Sequence, residues 1–326
     1  MKLSICVPHY NEKWEDCKFL FDSIAMQSGV DLDDIEVLVG NDGDENPLTI
    51  DLFEEYGYAI SVYTFPHKGV SATRNALLDM AVGDYVMFCD CDDGFCQTYG
   101  LFLIFAKMKN MPDAIISWFV EESMQKGEFH LIRHETDMQF VHGKVYKKSF
   151  LEDKEIRFND ELLIHEDGFL NTLVATEAQT YENIQNAFYV WRWRDESVAR
   201  REKDGNLFLM RTYGDLLKTR DAVCEELQQR GYISEYFDAV AKSIIDAYYE
   251  FQKPVYLDPE NAREVKRAER KVKKFYEKYK KDYNECGIDR ITEIMHLSRE
   301  NAYRRGMRIE QVSLHEWINH IAKEVQ

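Results

Sequence analysis

No stretch of this 326-residue chain stays apolar for the roughly 18–20 residues that a bilayer span requires. A membrane-embedded protein is therefore not expected. The segment Met1 to Pro8 is too poor in apolar residues for a signal peptide and runs straight into a strand-like sequence. The seven cysteines fall at 6, 17, 89, 91, 96, 224 and 286, without regular spacing. Cys89, Cys91 and Cys96 do not match the usual zinc intervals. A reduced, cytoplasmic protein is expected, soluble or at most peripheral at a membrane. No Gly-x-Gly-x-x-Gly follows the first strand, so the ordinary dinucleotide fingerprint is absent. No internal repeat or low-complexity tract is evident. Positive charge is scarce, and a net charge of −18 excludes a nucleic-acid grip spread over the whole surface.

What is present suffices for a sizeable core, in one large domain or two ordinary ones: 45% of residues are hydrophobic and 13% aromatic. Strand signals at Leu3–Val7, Ile35–Val39, Ala59–Phe65 and Tyr85–Cys89 alternate with helical stripes over Glu15–Gln27, Pro47–Tyr56 and Ser71–Gly83. That rhythm predicts an α/β fold with a mostly parallel central sheet and helices on both faces. Residues 96–200 are mixed. From about 205 the strand signals fade and charged helical patterns continue to the end. The expected organisation is one domain over 1–204, with halves 1–110 and 111–204, followed by a helical region over 205–326.

Within that region ten Lys or Arg oppose three Glu over 263–281, a local +7. Val265, Ala268, Val272, Phe275, Tyr276 and Tyr279 give the stretch a narrow apolar stripe. It is read either as a solvated helix packing on the acidic body of its own protein or of a dimer mate, or as a contact for a polyanion: a phosphate-rich glycan, an anionic membrane surface or nucleic acid.

The most informative motif is Asp90-Cys91-Asp92-Asp93. It follows the buried-strand pattern Tyr85–Cys89, so its carboxylates belong at the carboxyl edge of the sheet, where open α/β folds place ligands. Close carboxylates repel, and a divalent cation relieves that repulsion while serving a phosphate-bearing ligand. An acidic turn capping the strand is the plainer reading. Other segments have the same double character. Pro8-His9-Tyr10-Asn11-Glu12 ends the first strand and offers an aromatic face and a carboxylate. Asn41-Asp42-Gly43-Asp44 is a favourable turn, with Asp42 able to accept from an imide N–H. Lys68 to Asn75 opens a helix whose N-terminus, with Arg74, suits an anion. Glu166-Asp167 either serves the helix dipole or presents a general base. Trp191-Arg192-Trp193-Arg194, with Ser197 beyond, suits a diphosphate, a sugar ring or simple packing.

Taken in order and spacing, these segments resemble the family 2 glycosyltransferases of GT-A fold, from about Leu3 to about Ser197. Asn41 and Asp44 replace an Asp and a Ser of the usual second motif, and Glu12 directly follows Asn11. The resemblance implies a nucleotide-diphosphate sugar donor, most often a uridine one, and transfer with inversion to a glycan, lipid-linked or other hydroxyl acceptor. It implies that Pro8, Tyr10, Asn11, Glu12, Asp42, Arg74, Asp90, Cys91, Arg192 and Arg194 line the donor site. Tyr10 and Asp42 would meet the base, with Arg74 near the base or ribose end. Asp92, helped by Asp90, would hold Mn²⁺ or Mg²⁺, and Asp93 is the most dispensable of the three. Asp167 would be the base, supported by Glu166. His142, Lys144 and Trp191 would face the acceptor. The alternatives are a nucleotidyltransferase or a non-catalytic sugar-nucleotide-binding protein of related fold. An EF-hand starting at Asp90 is excluded because Leu101 stands where its twelfth-position Glu belongs.

Overall fold

The apolar runs of the first hundred residues become neighbouring parallel strands. In the computed structural model of the chain, residues 2–125, 127–135, 137–194, 205–304 and 312–324 are described. They fall into two compact units, Met1–Arg194 and Asp195–Gln326.

In the first unit β1 (Leu3–His9), β2 (Ile35–Asp42), β3 (Ala59–Phe65) and β4 (Tyr85–Phe88) form a parallel block ordered β3-β2-β1-β4. The sheet is mixed beyond it. β8 (Lys144–Lys147) pairs antiparallel with β4 and with β6 (Ala114–Gln125). β6 also carries β7 (Glu128–His134) and, in parallel, β9 (Tyr181–Trp191), and β9 holds the two-residue β5 (Gly94–Phe95).

Both faces of the parallel block are covered, so its strands read as continuous apolar runs rather than as alternating ones. On one face Ile5, Val7, Val37, Val39 and Met87 pack with Leu20, Phe21 and Ile24 of α1 (Trp14–Ala25) and Leu101 and Ile104 of α3 (Gly100–Met108). On the other, α2 (Val70–Met80) lies close over β2. That approach depends on Gly40, where an added Cβ would stand 2.9 Å from a Thr73 methyl and 3.1 Å from Leu77. Two shorter helices, α4 (Lys148–Asp153) and α5 (Glu166–Glu177), complete the unit. The helix expected over Pro47–Tyr56 is only a 3₁₀ turn, Ile50–Phe53. The ten residues Pro47–Tyr56 barely nucleate a helix, and Phe53 and Tyr56 both turn into an aromatic cluster with Phe21.

The second unit is helical throughout its described residues: α6 (Gly205–Arg211), α7 (Tyr213–Gln229), α8 (Ile233–Glu250), α9 (Pro254–Leu257), α10 (Ala262–Glu285), α11 (Ile288–Arg304) and α12 (Leu314–Glu324). The apolar stripe of α10 is buried at Ala268, Val272, Phe275, Tyr276, Tyr279 and Tyr283. Tyr279 donates to Asp221 of α7 at 2.6 Å, and Arg220 pairs with Asp246 of α8 at 3.0 Å. No described helix is long and apolar enough to cross a membrane.

The closeness of α2 to the sheet yields a test. Gly40→Ala must displace Thr73 and Leu77, at an expected cost of about 1–3 kcal/mol. A urea midpoint equal to that of the unaltered chain would contradict it, and adding Thr73→Ser should recover part of the loss.

Candidate functional site

Parallel pairing of β1 with β2 and β4 brings three chain turns to one sheet edge. Pro8 aligns with Gly40 and His9 with Asn41, while Cys6 aligns with Phe88. The segments that follow, Tyr10–Glu12, Gly43–Glu45 and Cys89–Asp93, therefore emerge side by side at the carboxyl ends of the strands.

Arg74 occupies the centre of this edge. It projects from α2, nearly wholly buried, and makes three ion pairs: to Asp90 at 2.7 Å, Asp167 at 2.7 Å and Glu166 at 2.9 Å. Glu166 and Asp167 form the first turn of α5, where the helix dipole favours negative charge. The turn is entered through His165, whose φ of 64° is the left-handed conformation uncommon for a non-glycine residue. Asp167 also accepts the Val141 amide at 3.0 Å. Burial alone would lower the Arg74 pKa, but Asp167, Asp90 and Glu166 together raise it. Burial likewise opposes ionisation of Asp90, yet Arg74 and then His142 hold its carboxyl below the usual range. Asp167 is raised by burial, with Arg74 opposing. Arg74 thus joins the acidic motif at the end of β4 to the acidic pair from more than seventy residues further along the chain.

The other two acids of the motif differ. Asp92 faces the open side of the edge and pairs with Arg194 at 2.8 Å; burial and then Asp90 raise its pKa. Asp93 points inward. It accepts from the Tyr189 hydroxyl at 2.6 Å and from the Arg192 amide at 2.9 Å, and burial followed by Asp92 and Asp90 pushes its pKa well up. Asp93, expected to be the most dispensable of the three, thus ties the motif to the end of β9. Cys91, between Asp90 and Asp92, is buried against Cys17 of α1.

The first-strand turn is built on an ion pair. The buried His9 imidazole meets Asp44 at 2.7 Å and the Glu12 carbonyl at 2.9 Å. Burial lowers its pKa, but contacts with Cys17, the Glu12 carbonyl and Asp44 outweigh that and raise it to about 9. Asp44 also accepts the amide of Asn11, which sits at φ 65°. Glu12 accepts the Tyr10 amide at 2.8 Å. Pro8 is buried in β1. Tyr10 is exposed and stacks on His67, centroids 4.5 Å apart. Asp42 accepts the amides of Lys68 and Gly69 at 2.8 and 2.9 Å, so both its oxygens serve the loop that leads into α2.

Opposite lies an aromatic wall. His142 is stacked between Phe140 (5.4 Å) and Tyr189 (5.1 Å), and Trp191 leans on both Phe140 and His142. Lys144 is buried 5.9 Å from the Phe119 ring centroid, and burial lowers its pKa to about 8. Arg192 reaches the Asp16 carbonyl at 3.2 Å and covers the Phe19 ring. Arg194 also approaches Asp16, at 3.3 Å. Ser197 lies outside the described residues.

The donor atoms suit a hard cation. One ligand atom each from Asp90, Asp93 and His142 lies within 4.8 Å of the others, and Asp92 is adjacent. Burial first, and then the neighbouring acids, raise the carboxyls of Asp92 and Asp93, and a divalent ion held here would relieve that mutual repulsion.

Sequence reasoning overlooked His9, Asp44, His67 and Tyr189 as parts of the site. Only Tyr189 had a usable signal: it lies two residues before Trp191 on a strand and so shares its face. For the other three, the pairing of His9 with Asp44 and of His67 with Asp42 and Tyr10 spans more than twenty residues.

A family model described as Glycosyl transferase family 2 matches residues 4–174, more than half of the chain. The chain is 23% identical over 221 residues to an uncharacterized glycosyltransferase, EpsJ, of Bacillus subtilis, covering 60% of this chain and 62% of that protein. It is 27% identical over 226 residues to glycosyltransferase GlyA of Streptococcus pneumoniae, covering 61% of this chain and 32% of that protein. The chain thus spans less than two thirds of either relative. Among solved structures it is similar to S. aureus TarS 1-349 in complex with UDP-GlcNAc, with a TM-score of 0.62, 18% identity, and 96% of this chain and 95% of that one covered. A mannosyltransferase of Pyrobaculum calidifontis in complex with GDP-Man and Mn²⁺ gives a TM-score of 0.50 at 12% identity, over 98% of this chain and 84% of that one. These likenesses establish the fold, a mixed α/β GT-A-type unit followed by a helical region.

The carboxylates beside Arg74 make stability pH-dependent. Burial, and then Asp167, push the Glu166 carboxyl from 4.5 up to about 7. A raised acid binds more protons folded than unfolded between those values, so its contribution to stability falls as pH rises through that window. Gln cannot ionise yet keeps an oxygen for Arg74. The advantage of Glu166→Gln over the unaltered chain should therefore grow by ~1–3 kcal/mol between about pH 4.5 and 8. Urea midpoints at several pH values read it directly; a constant difference would show that Glu166 does not titrate in this window.

Proposed function

The chain belongs to glycosyl transferase family 2, and from that membership we propose that it is an inverting, metal-dependent transferase. It moves a sugar from a nucleotide-diphosphate donor, a UDP-sugar, to an acceptor hydroxyl, with Asp167 as general base. The observation that carries this reading is the Arg74 network, which holds Asp90 and the Glu166–Asp167 pair in one cluster on the ligand-bearing edge of the sheet. The UDP-GlcNAc complex of the TarS neighbour supports the choice of nucleotide.

In this assignment residues 1–204 are the transferase domain, divided at about 110 into donor and acceptor halves. Tyr10 offers its exposed face to the base, beside Asp42, and Pro8, Asn11 and Glu12 shape the turn beneath. Asp92 and Asp90 would hold Mn²⁺ or Mg²⁺, with Asp93 and His142 close by. A divalent ion bound there adds positive charge where the diphosphate leaves. Arg192 and Arg194 add charge that the protein itself supplies. Cys91 spaces the two acids and fixes the motif to α1. Trp191 and His142 give the acceptor an aromatic wall, beside the buried Lys144.

Asp167 takes the proton of the acceptor hydroxyl. The oxygen then bonds to the anomeric carbon as the bond from that carbon to the diphosphate oxygen breaks on the opposite face, and configuration inverts. The raised pKa of Asp167 makes it a stronger base than an ordinary aspartate. Glu166 shares the Arg74 guanidinium and fixes the position of Asp167.

Two substitutions separate the roles. Asp167→Asn should lower transfer by about 10³-fold or more while leaving UDP-sugar affinity within a few-fold; loss of donor binding would sink the base assignment. Asp92→Asn should weaken Mn²⁺-dependent UDP binding by at least about tenfold, measured by calorimetry with and without the ion. Equal UDP affinity in both conditions for the unaltered chain would refute metal dependence.

A further inference from the structure

The charge of the chain is unevenly shared. Residues 1–194 hold 16 Lys and Arg against 34 Asp and Glu, the whole of the −18, whereas residues 195–326 hold 25 of each. Within that neutral unit, cations gather on one face of one helix. In the first half of α10, Arg263, Lys266, Arg267, Arg270, Lys271 and Lys274 are all exposed, and none forms an ion pair with another described residue. At 3.6 residues per turn they fall within about 140° of arc, opposite the buried Ala268 and Val272. At 1.5 Å rise per residue they form a row about 17 Å long. The second half of the helix is different: Lys278 is held by Asp221 and Glu225, and Lys281 faces Glu285 at 3.7 Å.

Local energetics oppose the row. Arg263, Arg267 and Lys271 are spaced by four residues, as are Lys266, Arg270 and Lys274, so like charges sit on successive turns and repel. The positive end of the helix dipole coincides with Arg263, Lys266 and Arg267. A face that served only solvation would mix signs, as the second half of α10 does.

We propose that this row is a docking site for a linear polyanion, a chain of linked phosphates. The charges match in sign and in linear arrangement, and a polymer otherwise repelled by a chain of −18 needs a concentrated row to be captured. A membrane surface fits less well. Interfacial helices insert an apolar face, and the apolar side chains of α10 are already buried in their own unit.

The test is binding of the full chain to labelled inorganic polyphosphate over a series of NaCl concentrations, without donor sugar, so that it stands apart from the transferase assignment. The fourfold variant Arg263→Gln, Arg267→Gln, Arg270→Gln and Lys274→Gln should bind at least about tenfold more weakly at low salt. Its log–log salt slope should shrink by about 3, at roughly 0.7 per charge removed. A control variant removes four ion-paired cations of the same unit, Arg230→Gln, Lys242→Gln, Lys253→Gln and Arg290→Gln, and should keep most of the affinity. The row variant should melt no lower than the unaltered chain, since repulsion is relieved. An equal loss in the control, no polyphosphate binding at low salt, or capture by anionic phospholipid vesicles in place of polyphosphate would each overturn the proposal.

Discussion

A guanidinium taken out of water is costly unless its charge is answered, and three carboxylates brought together are costly for the same reason. Arg74 and the acids Asp90, Glu166 and Asp167 satisfy one another at 2.7–2.9 Å. None of the four would be stable at its depth alone. The cluster therefore constrains α2, the end of β4 and the start of α5 at once, and through them the distance between the two halves of the first unit. Three acids face one fixed cation, and burial, with the neighbouring carboxylates adding to it, leaves Glu166 and Asp167 with raised pKa values.

The surroundings keep the cluster in register. Gly40 lets α2 approach the sheet closely enough for Arg74 to reach Asp90. His9 and Asp44 lock the first two strand ends together, which leaves Tyr10 exposed above them. Asp93 and Tyr189 anchor the acidic motif to β9, whose last residues supply Trp191, Arg192 and Arg194. Asp92 pairs with Arg194. The motif Asp90-Cys91-Asp92-Asp93 is thus divided by partner: one acid to Arg74, one to Arg194, and one to Tyr189 and the Arg192 amide.

The second unit follows a different rule. The apolar stripe of α10 is spent on helix packing, and the charges of the unit cancel in total. What distinguishes it is how they are distributed, with ion pairs over the second half of α10 and, over the first, a cationic row that no other described residue pairs with.

The sequence alone determined the alternation of strands and helices in the first hundred residues, the carboxyl-edge position of the acidic motif and the switch to helices near 205. These depend on local periodicity, on short turn chemistry and on the order of motifs, all of which survive in a linear string. It misjudged the 3₁₀ turn at Ile50–Phe53, where burial of Phe53 in an aromatic cluster outweighed a helical pattern. Only the tertiary structure decided which carboxylate faces which cation. Arg74 meets Asp167 across 93 residues, Asp93 meets Tyr189 across 96, and His9 meets Asp44 across 35. Such partners are chosen by strand register and helix packing, and a charge written in sequence carries no record of the direction its side chain will take.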